Sequence, residues 1–365
     1  MKLLRKRIPC LSALFLTFVV IPASLCSQVG SSNTIKGIIT GPTRTYVSNA
    51  TVILRDVGTN IGRSALSASD GAYVFTDLPS GRYDLTVMAS AFQTADVKNI
   101  ELDLVRDCRI DVKLTLPAAG APTAQDISFV AASDNTVQRY VLLLPEEFGT
   151  SGPHDVLIAL HGHGSDRWQF MRPTRDETRA AMDIAAKYKM IYVSPDYRGT
   201  TSWMGPRAEA DLTQIIETLK KQYRVGKLIL IGASMGGASA LTYGVLHPEL
   251  LDGVVSINGA ANYLEYENFQ DAISASFGGT REQIPMEYKL RSAEYWPERL
   301  TMPIAITASG QDKTVPPGSV LRLAHILQNL RRPVFLIYRE NEGHQTSYLD
   351  TVTALEFAVE SSRHH

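Results

Sequence analysis

Between residues 227 and 246 the chain leaves itself little conformational choice. An apolar run at 227–231 reads as a buried strand. It is followed at once by Gly232-Ala-Ser234-Met-Gly236-Gly237 and then by a helical stretch at 234–246. A strand that turns into a helix over so few residues crowds the positions two before and two after the apex, so both must be glycine. The apex residue, here Ser234, sits in a strained backbone with its side chain raised above the sheet edge. The helix that follows offers partial positive charge to any anion formed beside it. Such a turn requires a parallel sheet with helices packed on it.

The rest of the second half agrees. Strands are expected at 139–144, 155–160, 190–194, 253–257, 304–307 and 334–338, and helices at 176–188, 209–223 and 346–360. The run 155–160 is almost continuously apolar, as a strand covered on both faces should be. Alternation over this length predicts a doubly wound α/β sheet whose ligand site lies outside the carboxyl ends of its strands. Two further strand ends carry chemistry. Asp312 stands in Gly310-Gln-Asp-Lys-Thr-Val-Pro316 after the strand at 304–307, and His344 stands in Glu342-Gly-His after the strand at 334–338. A serine hydroxyl is a poor nucleophile until an imidazole takes its proton, and the imidazolium needs a carboxylate to orient it. Ser234, His344 and Asp312 are therefore the expected catalytic set, with Asp271 and then Glu342 as rival carboxylates. His247, His154, His364 and His365 read as structural or terminal.

The loop Leu160-His161-Gly162-His163-Gly164 follows the strand at 155–160. Acyl transfer builds charge on a carbonyl oxygen, which two preset backbone N–H groups stabilise. The expected pair is Met235 N–H with that of His163 or Gly164. A metal site of the H-x-H-x-D-H kind is not expected, since Asp166 falls one place late and no histidine follows it. No cofactor is implied. Tyr197 and Trp203 are candidates for lining the substrate pocket, while Asp196 and Arg198 read as loop-fixing. The segment between about 258 and 302 is rich in aromatics (Tyr263, Tyr266, Phe269, Phe277, Tyr288, Tyr295, Trp296). They either cap the site or form a small core of their own.

A length of 365 residues leaves room for a second domain. Residues 34–116 show short strands at 35–40, 50–55, 72–75, 82–87 and 109–116, separated by Asp70-Gly71 and Pro79-Ser80-Gly81 turns. This pattern predicts a small all-β sandwich. A small-residue linker spans 117–125, and the α/β domain runs from 126 to 365. At the amino terminus, Lys2, Arg5, Lys6 and Arg7 precede an apolar run at 11–21 and then small residues. That order predicts an export signal over 1–27 and a secreted or periplasmic protein. Lipid attachment at Cys26 is disfavoured by Leu25. Cys10 leaves with the signal, and the three cysteines in the chain are too few for a disulfide framework.

Gly37-Ile-Ile, Asn49-Ala-Thr-Val52, Asp70-Gly-Ala-Tyr-Val-Phe75 and Leu78-Pro-Ser-Gly-Arg-Tyr83 resemble the carboxypeptidase regulatory-like domain, a transthyretin-like sandwich. The resemblance implies a module that stabilises, spaces or docks a neighbouring enzyme. From about Asp126 onward, the elbow, Asp312, His344, Pro195-Asp-Tyr-Arg-Gly199 and Ser202-Trp-Met-Gly205 resemble the α/β-hydrolase superfamily, on the side of secreted esterases and prolyl-oligopeptidase-like catalytic domains. The resemblance implies a serine carboxylic ester hydrolase working through an acyl-enzyme. Acetyl or feruloyl esters of carbohydrates, or small phenolic esters, are the expected substrates. A serine peptidase of prolyl-oligopeptidase type is the second reading, and an adhesion or scaffold protein with a retired site is the third. Lysine plus arginine (36) balances aspartate plus glutamate (37), which leaves no basic surplus for nucleic acid. Association with the cell envelope is compatible with export, and the sequence sets no oligomeric state.

Overall fold

The computed structural model describes residues 33–89, 92–102, 107–116, 124–145, 148–149 and 152–364, with the backbone of 26–27. The expected signal up to residue 25 and the linker at 117–123 lie outside the described residues. Among those described, no helix is long and apolar enough to cross a membrane.

The first half is a two-sheet sandwich. Strands β1 (Cys26–Ser27), β8 (Asp107–Arg109), β2 (Asn33–Thr40) and β5 (Ala72–Leu78) lie side by side, with β9 (Val112–Lys113) also paired to β2. The second sheet runs β4 (Gly62–Leu66), β3 (Thr51–Asp56), β6 (Gly81–Met88) and β7 (Ala95–Leu102). Alternation decides which face is buried: Ile35 and Ile39 of β2 point inward and Lys36 points out. They meet Val52, Leu54, Phe75, Tyr83, Leu85 and Val87 in a shared core. The expected strand at 109–116 is in fact the two short pieces β8 and β9. Strands β4 and β7 carry weak patterns because they are the two edges of their sheet and bury little of either face.

The second half is an eight-stranded sheet in the order β10 (Gln125–Val130), β11 (Val137–Leu143), β13 (Ile191–Pro195), β12 (His154–Leu160), β14 (Val225–Ala233), β15 (Gly253–Ile257), β16 (Ile304–Ser309) and β17 (Val334–Arg339). The β10–β11 and β11–β13 pairs are antiparallel, and the rest are parallel. Helices cover both faces. Val156, Ile158 and Leu160 of β12 pack with Leu212, Ile215, Ile216 and Leu219 of α2 (Pro206–Gln222). Their neighbours Leu157 and Ala159 face the opposite side, toward Ile184 of α1 (Asp176–Lys187) and Leu355 of α7 (Tyr348–Ser362). Each such side chain contributes roughly 1.5–3 kcal/mol on full burial. On the α2 side lie also α3 (Met235–Leu246) and α6 (Gly318–Asn329), through Ala238, Leu241, Val320 and Leu323.

The insert between β15 and β16 contains α4 (Gln270–Phe277) and α5 (Pro285–Arg291). Most of its aromatics form its own core. Tyr263, Tyr266, Phe277 and Tyr288 are buried, with edge-to-face contacts of 5.2 Å for Tyr263–Phe277 and 5.0 Å for Phe277–Tyr288. A buried arginine fastens the insert to the sheet layer. Arg291 reaches Glu287 (2.6 Å), Glu209 (2.8 Å) and the Met204 carbonyl (2.7 Å), and Glu209 in turn meets His247 Nε2 at 2.9 Å.

The Glu209 hydrogen bond holds the His247 imidazolium and raises its pKa above the ordinary 6.5. Protonation is thus favoured by folding. The stabilisation is complete below the unfolded pKa and is lost as pH rises through the folded one. The unfolding free energy from denaturant titrations at pH 6 to 9 should fall for the wild type relative to His247→Gln, by on the order of 1 kcal/mol across the window. Parallel pH dependences in the two proteins would refute this.

Candidate active site

The elbow forms as its glycines require. Ser234 stands between β14 and α3 at φ 57°, ψ −118°, outside the regions comfortable for a residue with a Cβ. A side chain at 232 would meet the Gly236 backbone at 2.2 Å, and one at 236 would meet the Leu160 carbonyl at 2.1 Å. The strain is held by Ser234 N–H donating to the Ile257 carbonyl (2.8 Å) on neighbouring β15, and by Ala238 N–H donating to the Ser234 carbonyl (3.0 Å).

The three strand ends converge. His344 Nε2 lies 2.9 Å from Ser234 Oγ, and His344 Nδ1 lies 2.6 Å from Asp312 Oδ2. A carboxylate only accepts, so Nδ1 carries the proton and Nε2 is left to accept from the serine. The Asp312 side chain is only 1% exposed. Its second oxygen accepts from Thr314 N–H and Val315 N–H, both at 2.9 Å, so the buried charge keeps its hydrogen bonds. Asp271 is exposed on α4, and Glu342 contributes its backbone carbonyl to Gln311 N–H (2.8 Å). Two residues not singled out from sequence secure the histidine loop. Asn258 Nδ2 (2.9 Å) and Ser309 Oγ (3.3 Å) both donate to the carbonyl of Gln345, next to His344.

The oxyanion expectation needs one correction. Gly164 N–H donates to the Thr200 carbonyl at 2.8 Å and is not available to a substrate. Gly162 N–H is taken by Gln169 Oε1 at 2.8 Å. Met235 N–H, at the first position of α3, has no intrahelical acceptor. Of the N–H groups expected to serve an oxyanion, those of Met235 and His163 have no acceptor among the described residues. The His163 side chain serves elsewhere: its Nδ1 accepts from Trp203 Nε1 at 3.1 Å. Burial pushes its pKa below the usual value, which keeps that nitrogen an acceptor. His161 is buried, with Nε2 3.2 Å from the Asp196 carbonyl. Among the described residues no group of three or more His, Cys, Asp or Glu is placed to hold a metal ion.

A cleft of about 670 Å³ opens over Ser234 and His344, bordered by His163, Gln169, Arg175, Glu177, Phe269 and Thr346. Trp203 and Tyr197 do not line it, contrary to the sequence expectation. Both are fully buried behind its floor, Trp203 under His163 and Phe269, and Tyr197 with its hydroxyl donating to the His161 carbonyl at 2.6 Å. The loop bearing them turns through positive φ at Tyr197, Arg198, Trp203 and Met204, which directs these rings inward. The aromatic surface that does reach the cleft is Phe269, 37% exposed, its ring tilted against that of His163 with the centroids 4.3 Å apart. Sequence alone gave no reason to separate it from the other rings of the insert.

The fold has counterparts of known structure. A fluorophosphonate-binding serine hydrolase of Staphylococcus aureus aligns at 16% identity and TM-score 0.51, over 67% of this chain and 99% of its own. A ferulic acid esterase aligns at 19% identity and TM-score 0.51, over 66% and 97%. A putative dipeptidyl aminopeptidase IV from Bacteroides ovatus aligns at 18% identity and TM-score 0.54, over 82% of this chain but 42% of its own. These likenesses establish a shared fold. No curated protein matches the chain. Residues 34–115 match the carboxypeptidase regulatory-like domain. Because residues 177–360, half of the sequence, match the model of the prolyl oligopeptidase family, the chain belongs to that family.

Proposed function

We propose that this protein is a serine hydrolase of carboxylic esters acting outside the cytoplasm, with acetyl or aryl esters of sugars or small phenolic compounds as its substrates. The observation that carries the reading is the unbroken hydrogen-bonded line from Ser234 through His344 to the buried Asp312. Ser234 attacks the ester carbonyl as His344 takes its proton. The oxyanion draws on the N–H groups of Met235 and His163, and His344 returns the proton to the departing alcohol. Water then cleaves the acyl-enzyme by the same steps.

Family membership also supports a peptidase, and the cleft supplies the argument between the two. A peptide held by its amino terminus needs uncommitted carboxylates near the serine. The two carboxylates on the cleft wall are both engaged. Asp176 pairs with Arg179 at 3.0 Å and accepts from Tyr348 N–H at 3.1 Å, and Glu177 lies 3.8 Å from Arg175. Phe269 gives an apolar surface suited to an aromatic or sugar ring. The basic and then apolar start of the chain supports the location.

A serine-directed fluorophosphonate should label Ser234, and Ser234→Ala should abolish both labelling and turnover of p-nitrophenyl acetate. Asp312→Asn should lower kcat by about 10⁴-fold through loss of the required tautomer. Hydrolysis of peptide anilides in preference to esters would decide for the peptidase. Turnover should decline on acidification, because an imidazolium cannot accept the serine proton. A rate that does not fall on acidification would remove His344 from the role of base. Phe269→Ala should raise KM for feruloyl esters several-fold while leaving p-nitrophenyl acetate almost untouched. Equal losses on both substrates would show that Phe269 supports the loop and not the ligand.

A further inference from the structure

A continuous chain of alternating charges leads from the sandwich to the oxyanion loop. Asp96 on β7 lies 3.7 Å from Arg139 Nη2 on β11, and the same nitrogen is 3.0 Å from Asp126 Oδ2 on β10. Asp126 also receives a two-pronged contact from Arg167, with Nε at 2.8 Å and Nη2 at 2.9 Å. Arg167 then reaches Asp196 through Nη1 (2.9 Å) and its backbone N–H (2.9 Å). Arg167, Asp196 and Asp126 are 16%, 18% and 22% exposed, so this is a partly desolvated ladder with the fork geometry that fixes position.

Its far end is the loop that carries His163. The carbonyl of Asp196 faces His161 Nε2, and the next residue, Tyr197, binds the His161 carbonyl. Arg167 thus ties the segment 161–167 to the start of β10 and to the turn after β13, both on one side of β12 in the sheet. Its near end is seated on the sandwich. Thr94 Oγ1 donates to the Asp126 carbonyl (3.2 Å), Ser128 N–H meets the Met88 sulfur (3.2 Å), and Gly62 N–H donates to the Asn135 carbonyl (2.7 Å). Gly62 is packed so closely that a Cβ there would fall 2.2 Å from Val137 Cγ2 on β11.

We propose that the N-terminal sandwich takes part in the reaction: by seating the β10–β11 ribbon it fixes Arg167, and Arg167 is the positioning residue that sets the His163 N–H for the oxyanion. The inference rests on the ester-hydrolase reading. Oxyanion donors act only within a narrow distance of the developing charge. A loop that shifts by a fraction of an ångström therefore loses rate while substrate binding is retained.

The test uses the full chain, p-nitrophenyl acetate and an alkyl trifluoromethyl ketone, whose hemiketal oxyanion occupies the same donors. Arg167→Lys keeps the charge but loses the fork. Gly62→Val wedges the sandwich away from β11 without touching the site. Circular dichroism and active-site titration normalise both to folded, titratable protein. In Arg167→Lys, kcat should fall roughly tenfold or more, with KM within about twofold and the ketone inhibition constant rising by the same factor. Gly62→Val should move kcat and the inhibition constant together by a smaller factor of about three. Lys36→Ala, in a surface pair on the sandwich with Asp107, should change neither. A folded Arg167→Lys with wild-type kcat, or a kcat loss with no change in ketone affinity, overturns the role of Arg167. A folded Gly62→Val with wild-type kinetics overturns the role of the sandwich. A wild type that neither hydrolyses the ester nor binds the ketone overturns the functional reading, and the brace with it.

Discussion

The close approach of α3 to the sheet governs everything around it. Gly236 lies against the Leu160 carbonyl at a distance no side chain tolerates, and Gly232 lies against Gly236. Because the helix is pressed so near, Ser234 has no relaxed backbone to adopt, and its hydroxyl stands clear of the sheet. The same contact places the open N–H of Met235 beside the end of β12, where the loop bearing His163 begins. The raised serine hydroxyl and the open Met235 N–H thus follow from one steric fact. Strain of this kind costs about 1–3 kcal/mol and persists only where the surroundings over-determine it. Here the determinants are the hydrogen bond from Ser234 to β15 and the helix that starts at the next residue.

The acid–base partners solve a different problem. Asp312 is a charge with almost no access to water, a situation that destabilises a fold by several kcal/mol when the charge is unpaired. Two backbone N–H groups and the His344 imidazole meet that need. The turn after β16 therefore holds the carboxylate through its own backbone. The histidine loop is fixed separately, through the Gln345 carbonyl and its two donors, Asn258 and Ser309. Shared strand ends thus hold these groups in register: the end of β15 holds Ser234 through the Ile257 carbonyl and the histidine loop through Asn258, and β16 supplies both Ser309 and the turn that carries Asp312.

Much of this was legible in the sequence, and the pattern of what was not is informative. Ser234, Asp312 and His344 each stand directly after an apolar strand, so strand order alone brings them to one edge. The strands of the sheet interior were equally plain, since both faces are buried. Strands β4, β7 and β10 were obscured because each is the edge of its sheet and carries polar residues on its free side. Helix α6 was hidden behind Pro316-Pro317, which reads as a turn but in fact opens the helix. The oxyanion pair could be narrowed only by knowing that Thr200, thirty-six residues beyond Gly164, takes one candidate N–H. Trp203 and Tyr197 are of the residue types that line pockets, and only the left-handed backbone of their loop reveals that they turn away.

The seam between the halves has a consequence for how material reaches the serine. Gly62 N–H to Asn135 O and Val137 N–H to Asn60 O are main-chain bonds joining a sandwich edge strand to the turn and start of β11, and they resist sliding more than a greasy contact would. Jaw-like opening of one half against the other would have to break them. Ser234 is then reached through the cleft bordered by Phe269, with the two halves held in place.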